Sequence, residues 1–356
     1  MRDEHVNQRG NDGNLSGNRG PRRGKGRRSR GDRNGNGMRD HRGLPGMRDY
    51  PGMDDALALI LAAKSPDVEV LGISTVAGNY PVDITSRNAL KTLELIRRTD
   101  IPVARGMAKP LARPLPKDPF SHGSDGMAET HLREPSTPLA AMHGIDLIVS
   151  TVLARPGEVT LVCLGPLTNA AMALLKEPSI ALDLKEIVCI AGSYGLNRYA
   201  FANATGDTPQ SEWNVYVDPE AAKLVFESGA PIRAVGLDVA THFDINFSDH
   251  QLETLRTSSR PEANLAYKMV QFVLGRGFES YCVLIDSLAV AAVIDPTLIK
   301  TQRARVGVET KGELTLGQTV ADFRHHHAWQ HLPEIEVAAS ADYGRFLDLF
   351  MKTVAG

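Results

Sequence analysis

Cysteine is scarce in this chain, three in 356 residues, and Cys163, Cys189 and Cys282 stand far apart in apolar surroundings. That spacing excludes a disulfide framework and fits a reducing compartment, with two of the three thiols expected in the core. Long hydrophobic runs are missing too: no stretch reaches the roughly 18 apolar residues that a spanning helix needs. The basic N-terminus lacks the apolar segment of a secretory signal, so the cytoplasm is the expected compartment, with no membrane partner.

What is present divides sharply in two. Residues 1–50 hold 13 Lys and Arg against 6 Asp and Glu, whereas the whole chain has a net charge of −2. A mildly acidic body therefore carries a basic leader. Eleven of those first 50 residues are Gly, and apolar periodicity is nearly absent to about Gly46. Such a segment cannot bury enough surface to offset its ordering entropy, so Met1–Gly46 is expected to be disordered. Arg/Gly tracts such as Gly24-Lys25-Gly26-Arg27-Arg28 could neutralise nucleic-acid phosphates. The leader lacks interleaved aromatics for stacking, and a solvated tail or a misplaced start or reading frame explains it better.

Beyond about residue 47 the pattern becomes that of one folded domain. Asp54 to Lys64 reads as a helix with acidic residues in its first turn, and Val68 to Val76 as a buried strand ending in the turn Ala77-Gly78-Asn79. Helices follow over Asn88–Arg98, Gly144–Ala154, Asn169–Leu175 and Asp218–Ser228. Between them lie strands over Ile101–Val103, Thr160–Leu164, Glu186–Ala191 and Pro231–Leu237. Near the end come a hairpin of Val306–Glu309 with Glu313–Thr315, a strand over Glu334–Ala338, and a helix over Asp342–Lys352. Strands alternating with helices predict an α/β fold with an open, mostly parallel sheet covered on both faces. Ligands in such sheets bind beyond the carboxyl ends of the strands, where Asn79, Leu164 and the polar run after Ala191 all fall.

Three groups of residues could carry chemistry. Asp54 and Asp55 open a helix after Pro51-Gly52, and adjacent helical positions point about 100° apart. One carboxylate could hold a cation while the other meets a substrate, although acids in a first turn are also common for helix stability alone. Asp286 stands at the mouth of an almost wholly apolar helix, Ser287 to Val293, and needs a partner: a metal ion or a capping role would each supply one. Glu212 and Asn214 flank Trp213 in a polar, turn-rich stretch, where an extended chain would put both on one face. That suits a small polyol, or simply a structural loop. The run His325-His326-His327 with His331 is read as a solvated loop, because consecutive residues cannot all face one ion.

Several motifs in one order resemble the inosine-uridine-preferring nucleoside hydrolase family over about residues 51–350. They are PGMDDALAL from Pro51, TVAGN from Thr75, LGPLTN from Leu164, Glu212-Trp213-Asn214 with Asp218-Pro219-Glu220-Ala221-Ala222, Asp286-Ser287-Leu288-Ala289-Val290, and the stretch Val308–Val320. The resemblance implies a Rossmann-like open fold and a Ca²⁺ enzyme of nucleoside salvage, a homodimer or homotetramer, that cleaves ribonucleosides to base and ribose. By motif position, Asp55, Asp286 and the backbone carbonyl of Leu164 would ligate calcium. Asp54, Asn79 and Asn214 would bind ribose hydroxyls, Glu212 the 5′-hydroxyl, and His122 would lie near the base. The loops around 120–135 and 265–285 are expected to set base preference.

The same resemblance exposes departures. The family closes a hydrophobic first strand with Asp-x-Asp before Pro-Gly, whereas here Arg48-Asp49-Tyr50 precede Pro51. Tyr50 thus stands where a calcium ligand and general base would be, and Asp49 is one residue out of register. Arg42–Arg48, with Gly and Pro inside it, makes a poor strand, so the first strand is expected to be degraded or missing. Ile285 replaces a His that many relatives place before the metal-binding Asp. A catalytically impaired ribonucleoside-binding protein is accordingly the alternative to an active enzyme.

Overall fold

The computed structural model describes residues 52–117, 122–197, 199–324 and 326–356. The leader, Asp49, Tyr50, Pro51, the segment 118–121 and His325 lie outside the described residues.

In the first half of the chain, α1 (Met53–Lys64), β1 (Ile73–Thr75), α2 (Val82–Leu95), β2 (Val103–Arg105), α3 (Gly144–Ala154), β3 (Thr160–Cys163), α4 (Thr168–Lys176), α5 (Ile180–Asp183) and β4 (Glu186–Ile190) alternate. The middle is helical, with α6 (Tyr199–Ala202), α7 (Trp213–Val217), α8 (Pro219–Phe226), β5 (Ile232–Val235), α9 (Leu237–Ala240), α10 (Asp249–Thr257), α11 (Pro261–Gly275) and α12 (Ile285–Ile294). The chain closes with β6 (Ile299–Val308), β7 (Thr319–Asp322), β8 (Glu334–Ala341) and α13 (Tyr343–Val354).

These strands make two sheets. The larger has the order β3-β4-β5-β8-β6-β7, with β3, β4, β5 and β8 parallel and β6 antiparallel to both its neighbours. The smaller is a parallel pair, β1 with β2. Period-two alternation divides the larger sheet's side chains between two layers. Val188, Ile190 and Val235 face a core built with α1, α11, α12 and α13, whereas Ile187, Cys189, Ile232 and Ala234 face one built with α3, α4 and α8. The expected α/β sheet with helices on both faces is therefore present.

α1 lies at the middle of the first layer. Met53, Ala56, Leu57, Ala58, Ile60, Leu61 and Ala63 are all buried, so the helix is apolar nearly all round, as an interior helix must be. α12 is its main neighbour and equally apolar, with Leu288, Ala289, Ala291 and Ala292 fully buried.

Four readings of the sequence need correction. The strand expected over Val68–Val76 shrinks to Ile73–Thr75, because among the described residues only β2 pairs with it. α2 starts at Val82 rather than Asn88, since Val82, Ser86, Leu90 and Leu93 form its buried stripe and polar Asp83, Thr85 and Arg87 disguise it. The late hairpin pairs Val308 with Thr319, not with Glu313–Thr315. That trio lies in the connection, where Leu314 is exposed and Glu309 accepts the Lys311 and Gly312 amides. Finally, Pro261–Gly275 is a core helix burying Leu265, Ala266, Met269, Val270 and Val273, so most of the loop expected from residue 265 is packed interior. Among the described residues no helix is long and apolar enough to cross a membrane.

Candidate active site

Three helix starts and two strand ends converge on one acidic point. α1 begins at Gly52, whose missing Cβ leaves room for the Asp54 and Asp55 carboxylates immediately above it. A Cβ there would push both carboxylates aside. Asp54, Asp55 and Asp286 each bring a carboxylate oxygen within 4.8 Å of the others. Asp54 and Asp55 were expected to diverge by the helical angle. They meet because side chains in a first turn lean back towards the N-terminus and can converge over the helix end.

Asp286 settles a question left open above. It lies inside the first turn of α12, Leu284 holds the N-cap position, and no side chain caps that end. The capping role is therefore excluded. Asp286 is 3% exposed, and burial first, then the charges of Asp54, Asp55 and Glu212, hold its carboxyl well above the usual carboxylate range. Burial together with Asp54 pushes Asp55 up to about 8. Neighbouring buried carboxylates with raised affinity for protons are short of positive charge. Hard oxygen donors in that condition fit a divalent cation of the Ca²⁺ or Mg²⁺ type.

Glu212 and Asn214 do come together, by a route other than the expected extended chain. Glu212 is the N-cap of α7, its carboxylate accepting the amides of Asn214 at 2.8 Å and Val215 at 3.0 Å. Gly192 donates a third amide at 3.2 Å from just beyond β4. Desolvation outweighs these bonds and raises Glu212 to about 7. Asn214 commits both amide hydrogens, one to the Leu164 carbonyl and one to that of Ile190 at 3.0 Å. Its Oδ1 alone is left to accept from a ligand.

His122 closes the other side. Its Nδ1 accepts the Met53 amide at 3.2 Å, and its Nε2 lies 3.1 Å from the Asn79 side-chain nitrogen. Nδ1 also lies 3.8 Å from Asp54 Oδ1. Tyr80 sits edge-on to the ring and donates to the Gly123 carbonyl, fixing this loop. These contacts gather Asp54, Asp55, Asp286, His122 and Asn79 in one group and Leu164, Glu212 and Asn214 in another, and the charge of Glu212 reaches Asp286.

Sequence reading missed the frame around them. Asn169 donates to Ser74 Oγ at 2.8 Å and the Thr75 carbonyl at 2.9 Å, and accepts the Met107 amide at 2.9 Å. Buried Asp238 accepts the amides of Tyr194 and Leu196, and Thr319 clasps both backbone groups of Ser193. Position after a strand was the available signal for Asn169; nothing local distinguishes Asp238. His326, His327 and His331 are exposed and join no cluster of potential ligands among the described residues. The three cysteines are free; Cys189 is buried, while Cys163 and Cys282 are partly so.

An open α/β sheet with polar and acidic side chains gathered beyond its strand ends defines a small-molecule site of the doubly wound type. The family profile described as inosine-uridine preferring nucleoside hydrolase matches residues 50–348, and the chain belongs to this family. A pyrimidine-specific ribonucleoside hydrolase of Citrobacter koseri is 36% identical over 308 residues, covering 85% of this chain and 95% of its own. Among solved structures, a plant nucleoside hydrolase matches with a TM-score of 0.77 at 29% identity, over 86% of this chain and 96% of that one. A purine-preferring ribonucleoside hydrolase from Gardnerella vaginalis matches with a TM-score of 0.72 at 27% identity, over 86% and 96%. Membership implies hydrolysis of N-glycosidic bonds of ribonucleosides.

Proposed function

We propose that this chain hydrolyses ribonucleosides to free base and ribose at the acidic cluster, with Ca²⁺ as the resident cation. The observation that carries the reading is the meeting of Asp54, Asp55 and Asp286 at charge-deficient positions beyond the strand ends. Asp55, Asp286 and the carbonyl of Leu164 would hold the ion. A bound divalent cation supplies orientation of the ribose 2′ and 3′ hydroxyls and a more acidic water.

The chain's own groups do the rest. Asp54, Asn79 and Asn214 meet ribose hydroxyls, Asn214 as an acceptor only, and Glu212 takes the 5′-hydroxyl. The leaving base departs from a ribosyl cation, which clustered carboxylates stabilise as its charge develops. With Tyr50 ahead of Pro51, Asp54 is the carboxylate left to accept the water's proton, Asp49 being out of register. His122 would lie near the leaving base and would be the group to protonate it. A homodimer or homotetramer in the cytoplasm, serving nucleoside salvage, belongs to the same proposal.

Tyr50 supports a second reading, a protein that binds ribonucleosides without turnover. Ribose release from inosine and uridine, with Ca²⁺ and with EDTA, separates the two. Calcium-dependent release supports the enzyme; nucleoside binding without release supports the alternative and overturns the first reading.

A further inference from the structure

The loop 122–131 holds a conformation that most residues resist. Ala128, Glu129 and His131 stand at φ of 58°, 56° and 48°, in the left-handed region, as do Gly123 at 82° and Gly126 at 71°. Among the described residues, Arg97 is the other non-glycine residue found there. Left-handed backbone sets the Cβ of an L-residue against its following carbonyl, so a group of such residues persists only where something over-determines it. Gly123 is crowded as well: a Cβ there would meet a Glu129 carboxylate oxygen at 3.0 Å and the Phe272 ring at 3.2 Å.

Asp125 supplies the constraint. One oxygen of its carboxylate accepts the amides of Met127 at 2.7 Å and Glu129 at 2.8 Å, and the other accepts that of His131 at 2.8 Å. Amides turned inward in this way make a concavity that takes an anion, and here the anion is built into the loop. Asp125 is anchored in turn, because Asn88 of α2 donates to its carbonyl at 3.0 Å. Ser124 donates to Glu129 through both its amide and its hydroxyl, and Met127 is buried in the same core as α1. Asp125, Glu129 and His131 also bring potential metal-ligand atoms together. Three amide hydrogens already give Asp125 the partial positive charge that an ion would bring, so this cluster is a strut rather than a site.

The strut ends on the active site. The amide of Ala128 donates to the His122 carbonyl at 2.9 Å, so the left-handed turn acts directly on the backbone of His122. The His122 ring in turn accepts the Met53 amide and lies against Asn79. Met53 opens α1, where amides lack intrahelical partners, and Gly52 has no side chain to cap them. His122 therefore has a defined seat on the helix start, and the loop behind it decides whether the ring reaches that seat. We propose that Asp125 is a positioning residue for the reaction, its carboxylate holding the loop that aims His122 at the leaving base. The inference rests on the reading of His122 as the group that protonates that base.

The test compares Asp125→Ala and His122→Ala with the parent in two readouts. In native-state hydrogen exchange the Met53 amide should exchange faster in both variants by about tenfold, the worth of one hydrogen bond, while Val188 and Ile190 of β4 keep their protection. In turnover, Asp125→Ala should lose about 10²-fold or more on inosine and uridine, in kcat rather than KM, and far less on para-nitrophenyl riboside, whose leaving group departs without a proton. If Asp125→Ala folds poorly, Asp125→Asn should show the same changes in smaller measure, since it keeps the oxygen facing Met127 and Glu129 but turns an amide towards the His131 N–H. A Met53 amide that stays protected in both Asp125 variants overturns the proposal. So does an equal loss on all three substrates with faster exchange in β4, the mark of a merely structural part. If the parent releases no ribose from any of the three, the catalytic reading falls, and faster exchange at Met53 still sustains the seating of His122 by Asp125.

Discussion

Asn214 holds the Leu164 carbonyl through a hydrogen bond of 2.8 Å, so two groups assigned to different partners, a ribose hydroxyl and a cation, are fixed by one another. The carbonyl has a second lone pair free for a cation, and the amide keeps only its oxygen for a sugar. Asn214→Asp removes both donors and sets a carboxylate against the Leu164 and Ile190 carbonyls. Loss of stability by about 2–5 kcal/mol is expected, measured by urea unfolding in EDTA, with a smaller loss for Asn214→Leu. Equal stability of Asn214→Asp and the parent would show that these bonds carry little.

Asp286→Asn separates stability from metal binding. A neutral amide relieves the crowding of negative charge, so the metal-free protein should melt higher than the parent at pH 8. The stabilisation by added Ca²⁺, which follows from binding to the native state alone, should shrink or vanish. Ribose release should fall by about 10²-fold or more. A parent whose melting temperature ignores Ca²⁺ would remove the basis for a cation at this cluster.

Glu212 gives a pH dependence of definite sign. Its folded-state pKa, raised from 4.5 to about 7, means that the native state binds its proton more tightly than the unfolded chain does. That contribution is fully present below about 4.5 and is lost as pH rises through about 7. Glu212→Gln lacks it, so the difference in melting temperature, variant minus parent in EDTA, should climb across this window and level off above. A flat difference would mean that the three backbone amides hold the carboxylate ionised throughout.

Tyr50→Asp restores a carboxylate directly ahead of the Pro51-Gly52 turn. If the missing base limits turnover, calcium-dependent ribose release should rise by about 10²-fold or more, the usual worth of general-base catalysis. Unchanged release from a variant that binds Ca²⁺ as tightly as the parent would place the defect in the strand rather than in the carboxylate.

The layers were legible where a periodic pattern was strong. α3, with Ile145, Ile148 and Val152 on its buried stripe, was read to its exact ends, and β3, β4 and β5 to within two residues, because parallel strands covered on both faces are continuous apolar runs. α2 and α11 were misread for opposite reasons. The first hides its stripe among polar residues, and the second interleaves half-exposed Tyr267 and exposed Lys268 and Gln271, on its outward side, with its buried positions. The candidate site was legible as residues but not as geometry. Nothing in the order Glu212-Trp213-Asn214 says that the carboxylate caps a helix, or that the amide's two hydrogens are already committed. Long-range partnerships of this kind are made by tertiary packing, which a one-dimensional pattern does not encode.

The division into two sheets has a mechanical counterpart. Among the described residues, Asn169 ties Ser74 and Thr75 of β1 to α4. The β1–β2 pair can therefore open as a local unit of its own, below the energy needed to melt the larger sheet. Native-state hydrogen exchange should show the amides of Ile73–Thr75 and Val103–Arg105 losing protection at lower denaturant than those of Ile187–Ile190. Calorimetry should then return a van't Hoff enthalpy smaller than the measured heat, so a single melting temperature would understate how the two parts of the molecule come apart.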